Sequence, residues 1–203
     1  MKRLILMLAI SLLAISATIA QGYNVGDKAT DFKLKDVNGK MVSLSDYPDA
    51  KGFIIIFTCN HCPYAIAYQD RIIGLDKKYK SSGYPVIAIN PNDPEIAPED
   101  SYEKMITRAK EKDFTFPYLF DETQEVYRTY GAKRTPHVYV LQKKEGVLLV
   151  QYIGAIDDNY QDAASVTTPY LSNAVDALLA GKTPDPTVTK AIGCSIKDKQ
   201  TAK

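Results

Sequence analysis

Cys59-Asn60-His61-Cys62 sets two thiols three residues apart, one residue after the apolar run Phe53-Ile54-Ile55-Ile56-Phe57 and directly before a segment opening at Pro63. The run reads as a buried strand. The segment after Pro63 carries Tyr64, Tyr68, Ile72, Leu75 and Tyr79 at three- and four-residue spacing, the stripe of an amphipathic helix. A thiol at such a strand-to-helix junction meets unpaired backbone N–H groups and the positive end of the helix dipole, which favour its anion. Cys59, first in the motif, is therefore the expected nucleophile, and Cys62, one turn further in, the resolving partner. The chemistry is reversible thiol–disulfide exchange. The plainer alternatives are a static disulfide or half of a zinc site. Zinc takes about four ligands, usually from two such pairs, and this chain has one pair.

Four other positions bear on that chemistry. His61 lies inside the turn, where a partly charged imidazole favours the Cys59 thiolate; an exposed histidine screened by solvent is the plain reading. Thr135-Pro136 opens the candidate strand His137 to Leu141. A proline there, beside the motif, leaves the Thr135 backbone free to pair with a substrate chain; an ordinary trans proline starting a strand is the alternative. Cys194, in Gly193-Cys194-Ser195, is an odd third thiol, either inert or a second partner for Cys59. His137 with Cys59 and Cys62 would make a soft-ligand set suited to Cu(I), against the commoner reading of a half-buried strand histidine.

The elements that must hold these residues follow from periodicity. Asp31 to Lys35 and Met41 to Leu44 alternate around Asn38-Gly39, a hairpin signal. Pro85 to Ile89 reads as a second buried strand, Pro98 to Lys112 as one charged surface helix, Phe116 to Phe120 as a short apolar segment, and Gln124 to Tyr130 as a helix ended by Gly131. Val138 to Leu141 and Val147 to Tyr152 flank a turn as an antiparallel pair. Thr168-Pro169 precedes a last helix with Leu171, Ala174, Val175, Leu178 and Leu179 inward. Strands alternating with helices, followed by an antiparallel pair, give an α/β domain with a mixed sheet.

Residues 1–20 stand apart. Lys2 and Arg3, the uncharged apolar run Leu4 to Ile15 and the small residues Ala17 to Ala20 have the form of an export signal, too short for a comfortable membrane span. No cysteine follows that run to carry a lipid, so no stable membrane anchor is expected. The expected organisation is a signal at 1–20, one redox domain at 21–182 and a tail at 183–203. In that tail Ile192 and Ile196 flank Cys194, and apolar residues of this kind predict docking on the domain. Without Lys2 and Arg3 the chain has 23 basic and 24 acidic residues, which gives no reason to expect a nucleic acid partner. Three cysteines do not make a disulfide scaffold, and export places them where disulfides persist.

Phe57-Thr58-Cys59-Asn60-His61-Cys62-Pro63-Tyr64, Ala88 to Asp93, Pro98-Glu99-Asp100-Ser101, Phe116 to Leu119, Asp121 to Val126, Gly154 to Asp158 and Ile192 to Lys197 together resemble the thioredoxin-fold redoxins, in particular the peroxiredoxin-like (AhpC/TSA-related) branch with a C-N-H-C active site. The resemblance covers roughly Gly26 to Lys197. It implies a thioredoxin-like fold, oxidoreductase or antioxidant activity, and a cis Pro136. The chain also departs from the pattern. A peroxidase of the peroxiredoxin type carries P-x-x-x-T-x-x-C, whose last position aligns with Cys62; Ile55 and Cys59 replace its proline and threonine. The hydroxyl that polarises peroxide is thus missing from the motif. The buried acid that thioredoxin carries six residues before its first cysteine is replaced by Phe53.

The sequence thus predicts an exported thiol–disulfide oxidoreductase, periplasmic or extracellular, with no cofactor. Its partners would be protein or small-molecule disulfides and thiols and a redox-recycling protein. The rival readings are a thiol peroxidase and a copper-handling protein of the same fold.

Overall fold

The computed structural model describes residues 22–199; the expected signal at 1–20 lies outside them. A seven-stranded mixed sheet forms the centre, in the order β2-β1-β5-β4-β3-β7-β8. Strands β1 (Lys33–Asp36) and β2 (Met41–Ser43) are the predicted hairpin. Strand β3 (Gly52–Phe57) lies in the middle, parallel to β4 (Val86–Asn90) and antiparallel to β7 (His137–Lys144). All six of its residues are buried, the outcome its unbroken apolar run predicts for a strand covered on both faces.

Alternation along these strands feeds two cores. Ile54, Ile56, Val86, Ala88, Val138 and Val140 pack with helix α1 (Pro63–Tyr79), with Met105 of α2 (Tyr102–Glu111) and with α4 (Tyr170–Leu179). Phe53, Ile55, Phe57, Ile87, Ile89, Tyr139 and Leu141 face the other way, toward α3 (Glu125–Tyr130) and the hairpin. Strand β5 (Tyr118–Phe120) runs parallel to β4, and β8 (Val147–Gly154) closes the far edge against β7. Helices on both faces of a mixed sheet make this a thioredoxin-like fold.

Two elements differ from the sequence expectation. The single helix over Pro98 to Lys112 is interrupted: a 3-10 turn spans Pro98–Asp100, and Ser101, extended in backbone, caps the start of α2 by accepting the Lys104 N–H at 3.4 Å. The cap resets the chain direction and lets Asp100 turn inward, fully buried. The tail is also more structured than its polar composition suggests. Thr189 and Thr187 bond the backbone of Ile153 on β8, both at 3.0 Å. Lys197 bonds Asn92, Asp93 and Gln124, while Asp198 pairs with Arg128 at 2.6 Å and with the Tyr127 hydroxyl. Ile196 packs on the second core, whereas Ile192 stays 44% exposed. Hydrogen bonds and ion pairs, not the two isoleucines together, hold the tail.

Between those anchors the tail forms a two-residue strand, β9 (Cys194–Ser195), antiparallel to β6 (Arg134–Thr135).

Candidate active site

The two motif thiols meet at Thr135. Cys59 Sγ lies 3.3 Å from the Thr135 hydroxyl, and the Cys62 thiol donates to the Thr135 carbonyl at 3.2 Å. The Thr135–Pro136 bond is cis, and Phe57, two residues before Cys59, pairs with His137 across β3 and β7. Sheet register therefore brings residues 76 apart in sequence into contact. Cys59, Cys62 and Ala65 form a small buried cluster against which Tyr64 and Cys194 pack.

Helix α1 begins at Pro63 with Cys62 as its N-cap, so the helix-start position expected for Cys59 belongs to Cys62. Cys59 instead sits three residues earlier, close to Asp100. The anion follows this geometry. Cys62 is shifted well below the ordinary thiol range, chiefly because the Cys59 thiol donates to it, with the Cys194 thiol and the Ala65 and Cys194 N–H groups adding to the effect against its own burial. The Thr135 carbonyl, which accepts only from the protonated form, works against them. Cys59 is shifted up, first by that same hydrogen bond with Cys62, then by burial and the Asp100 charge. In this tail-docked, reduced arrangement the shared hydrogen bond favours the anion on Cys62 over that on Cys59, the opposite direction from the one motif order suggests. Cys194 is pushed up to about 11 by partial burial and by Cys62. Its thiol neighbour is Cys62, not Cys59.

Asp100 is the residue that sequence reasoning missed. Its buried carboxylate accepts from the backbone N–H groups of Asn60 (2.8 Å) and His61 (3.2 Å), from the Asn92 side chain (2.6 Å), and contacts His61 Nδ1 at 2.6 Å. Asn60 is fixed in turn by the Glu99 carbonyl and the Tyr118 hydroxyl. The Asn-His dipeptide is thereby nailed to the end of β4. His61 thus turns toward a carboxylate as well as toward the motif. A signal existed in Asn90, Asn92 and Asp100, polar residues following a buried strand, but a polar stretch after a strand ordinarily reads as a solvated loop.

The three-residue set Cys59, Cys62 and His137 does not come together as a metal site. His137 Nδ1 takes the Lys133 N–H at 3.2 Å, and burial, then Lys133, pushes the imidazole down to about 4. Among the described residues, the ligand atoms that converge, within 4.8 Å, are those of Cys59, His61 and Asp100. An ion there would have to break the His61–Asp100 contact and compete with three N–H donors for the carboxylate. The Thr135 backbone is likewise not open to a substrate chain, because Cys194 of β9 stands opposite it in register.

A pair of cysteines at a strand-to-helix junction, facing the residue before a cis proline on a mixed sheet, defines a thioredoxin-fold redoxin. Residues 25–150 match the AhpC/TSA family, and the chain belongs to it. It is 27% identical over 145 residues to the thiol-disulfide oxidoreductase ResA of Bacillus thuringiensis subsp. konkukian (strain 97-27), covering 66% of this chain and 78% of that protein. Among solved structures, it is 39% identical to an uncharacterized conserved protein from Geobacillus kaustophilus, with a TM-score of 0.80 over 87% of this chain and 93% of the other. A hypothetical protein from Sinorhizobium meliloti 1021 is 32% identical, with a TM-score of 0.79 over 87% and 95%. These relationships make the chain an oxidoreductase.

Proposed function

We propose that this protein is an exported thiol–disulfide oxidoreductase working through a Cys59–Cys62 dithiol/disulfide couple. The observation that carries the reading is the convergence of both sulfurs on Thr135, beside cis Pro136, with one thiol biased toward its anion. The Cys62 thiolate attacks one sulfur of a substrate disulfide; that S–S bond breaks and the other substrate sulfur leaves as a thiolate. Cys59 then loses its proton and attacks Cys62 in the mixed disulfide, releasing the second substrate thiolate. Two electrons pass to the substrate, and the Cys59–Cys62 disulfide remains for a recycling partner. Asp100 positions the Asn60-His61 turn throughout, and Thr135 orients both sulfurs. Export rests on Lys2, Arg3 and the apolar run that follows them.

Turnover of a protein disulfide such as insulin by the purified chain, compared with Cys59→Ser and Cys62→Ser, tests this. Each variant should lose at least about a hundredfold in rate. Equal rates in wild type and either variant would remove the dithiol reading. A peroxidase reading has one contact in its favour, the Thr135 hydroxyl beside Cys59, which could stand in for the threonine the motif lacks. Peroxide-dependent oxidation of the thiols that a Thr135→Val change abolishes would support it.

A further inference from the structure

We propose that Cys194 is a third redox thiol of this site, carried to Cys62 by a tail strand that occupies the Thr135 edge as a cysteine-bearing substrate strand would. The inference rests on the dithiol reading above and goes beyond it.

Strand β9 adds to β6 in antiparallel register, Arg134 opposite Ser195 and Thr135 opposite Cys194. Edge pairing of this kind is how an extended peptide gains main-chain hydrogen bonds from a sheet. The approach is unusually close. A Cβ built on Gly193 would lie 2.3 Å from the Thr135 carbonyl oxygen and 2.6 Å from its carbon, so only glycine fits there. Arg134 adds a bond to the Gly193 carbonyl at 3.3 Å. Anchors on both sides fix the strand: Thr189 on Ile153 before it, Lys197 on Asn92 and Asp93 after it. Between them Ile192 is left in solvent, while Cys194 packs against the Cys59–Cys62 cluster. The arrangement sacrifices an apolar side chain to the surface and delivers a thiol to the site.

Cys62 consequently has a thiol on either side, Cys59 and Cys194. Once the Cys59–Cys62 disulfide has formed, the Cys194 sulfur, as thiolate, attacks Cys62. The Cys62–Cys194 bond forms, the Cys59–Cys62 bond breaks, and Cys59 leaves as a thiolate that takes up the proton Cys194 gave up. The exchange needs no external oxidant because no net electrons move. Its product fastens the tail over Thr135 and closes that edge to a substrate strand. Cys59 and Cys62, at 2% and 0% exposure, lie beneath the tail even in the reduced protein, so a protein substrate must displace β9.

The test is disulfide mapping of the full chain by mass spectrometry after oxidation with oxidised glutathione. Wild type should give a Cys62–Cys194 linkage alongside Cys59–Cys62, and Cys59→Ser should give Cys62–Cys194 as its principal protein disulfide. Gly193→Ala, which forces the strand off Thr135, should lower the Cys62–Cys194 yield and raise Cys62 alkylation in the reduced protein, each by about tenfold, as for loss of one or more strand contacts. Glutathione adducts on Cys62 of Cys59→Ser with Cys194 left free, or a Cys62 alkylation rate unchanged by Gly193→Ala, would overturn the proposal. Cys194→Ser separates the two readings. If it forms the Cys59–Cys62 disulfide while wild type forms no linkage to Cys194, the dithiol couple stands and the third-thiol proposal falls. If neither protein forms the Cys59–Cys62 disulfide, the dithiol reading itself fails.

Discussion

Two buried carboxylates in this molecule are satisfied in opposite ways. Asp157 meets a permanent cation: Arg71 of α1 pairs with it at 2.6 Å, the Tyr68 hydroxyl donates at 2.7 Å, and the same guanidinium holds the Asn159 and Tyr160 carbonyls. Tyr160 then packs on Tyr64 with the rings tilted at 44°, and Tyr64 borders the thiol cluster. Asp100 meets two backbone N–H groups, the Asn92 amide and an imidazole, with neither lysine nor arginine in contact among the described residues. A guanidinium keeps its charge at any pH the protein meets. The Asp157 assembly is therefore a fixed brace for the loop after β8. The Asp100 charge also reaches Cys59, where it adds to the Cys62 hydrogen bond and burial in raising that thiol's pKa. One carboxylate stiffens the wall of the site; the other sets the electrostatics inside it.

The largest effect should come from breaking the brace. Arg71→Met strands Asp157 without its cation and should cost about 3–5 kcal/mol of folding stability, the range for a buried pair that loses one partner. Chemical denaturation measures it. The comparison fails if the variant loses less than about 1 kcal/mol.

Asp100→Asn comes next. The amide keeps one acceptor but turns N–H groups toward His61 and Asn92, for an expected loss of about 2–3 kcal/mol. It should also do what Arg71→Met does not. With the charge gone, Cys59 should ionise at lower pH, followed by ultraviolet thiolate absorbance in a Cys62→Ser, Cys194→Ser background. A Cys59 titration that Asp100→Asn leaves in place would put both carboxylates in the same bracing role.

These two residues also mark where the sequence was legible. The central strand, the helix after it and the hairpin could be read because each writes its own period locally: an unbroken apolar run at Phe53 to Phe57, a helical stripe from Tyr68 to Tyr79, a turn at Asn38-Gly39. The Thr135-Pro136 placement beside the motif was legible through the resemblance. Asp100 was not, because its burial depends on the Ser101 cap and on donors 8 to 40 residues away. Strand β9 was not, because two residues carry no periodicity and its partner lies 59 residues earlier in the chain. Motif order also did not reveal which thiol caps the helix, since α1 starts at Pro63, four residues after the first thiol, with Cys62 as its cap.

His137 supplies a third case, a buried base whose Nδ1 accepts the Lys133 N–H and which has no carboxylate partner among the described residues. Burial lowers its pKa from 6.5 to about 4, so the unfolded chain binds the proton more readily than the native one. Stability from this residue is complete above about pH 6.5 and is lost as pH falls toward 4, by about 3 kcal/mol. His137→Gln should flatten that slope in urea melts between those pH values. An unchanged slope would mean the acid sensitivity arises elsewhere.

The smallest effect belongs to the surface. Lys78 and Asp176 pair at 3.1 Å with both side chains about half exposed. Lys78→Met should change stability by no more than about 0.5 kcal/mol, which calibrates the loss expected from Arg71→Met. A loss comparable to that of Arg71→Met would dissolve the distinction between braced and solvated charge.

The redox state of the Cys59–Cys62 couple decides the account most directly. The Cys194→Ser protein, in which only the dithiol pair can close, would be equilibrated in glutathione buffers of graded poise, quenched and alkylated, and the fraction of each thiol in disulfide read by mass spectrometry. The account predicts that Cys59 and Cys62 pass together from alkylated to disulfide-linked in one two-electron transition, tenfold in equilibrium constant for about every 30 mV. Thiols that stay independently alkylable across the whole range, or that become glutathionylated without ever joining, would contradict it.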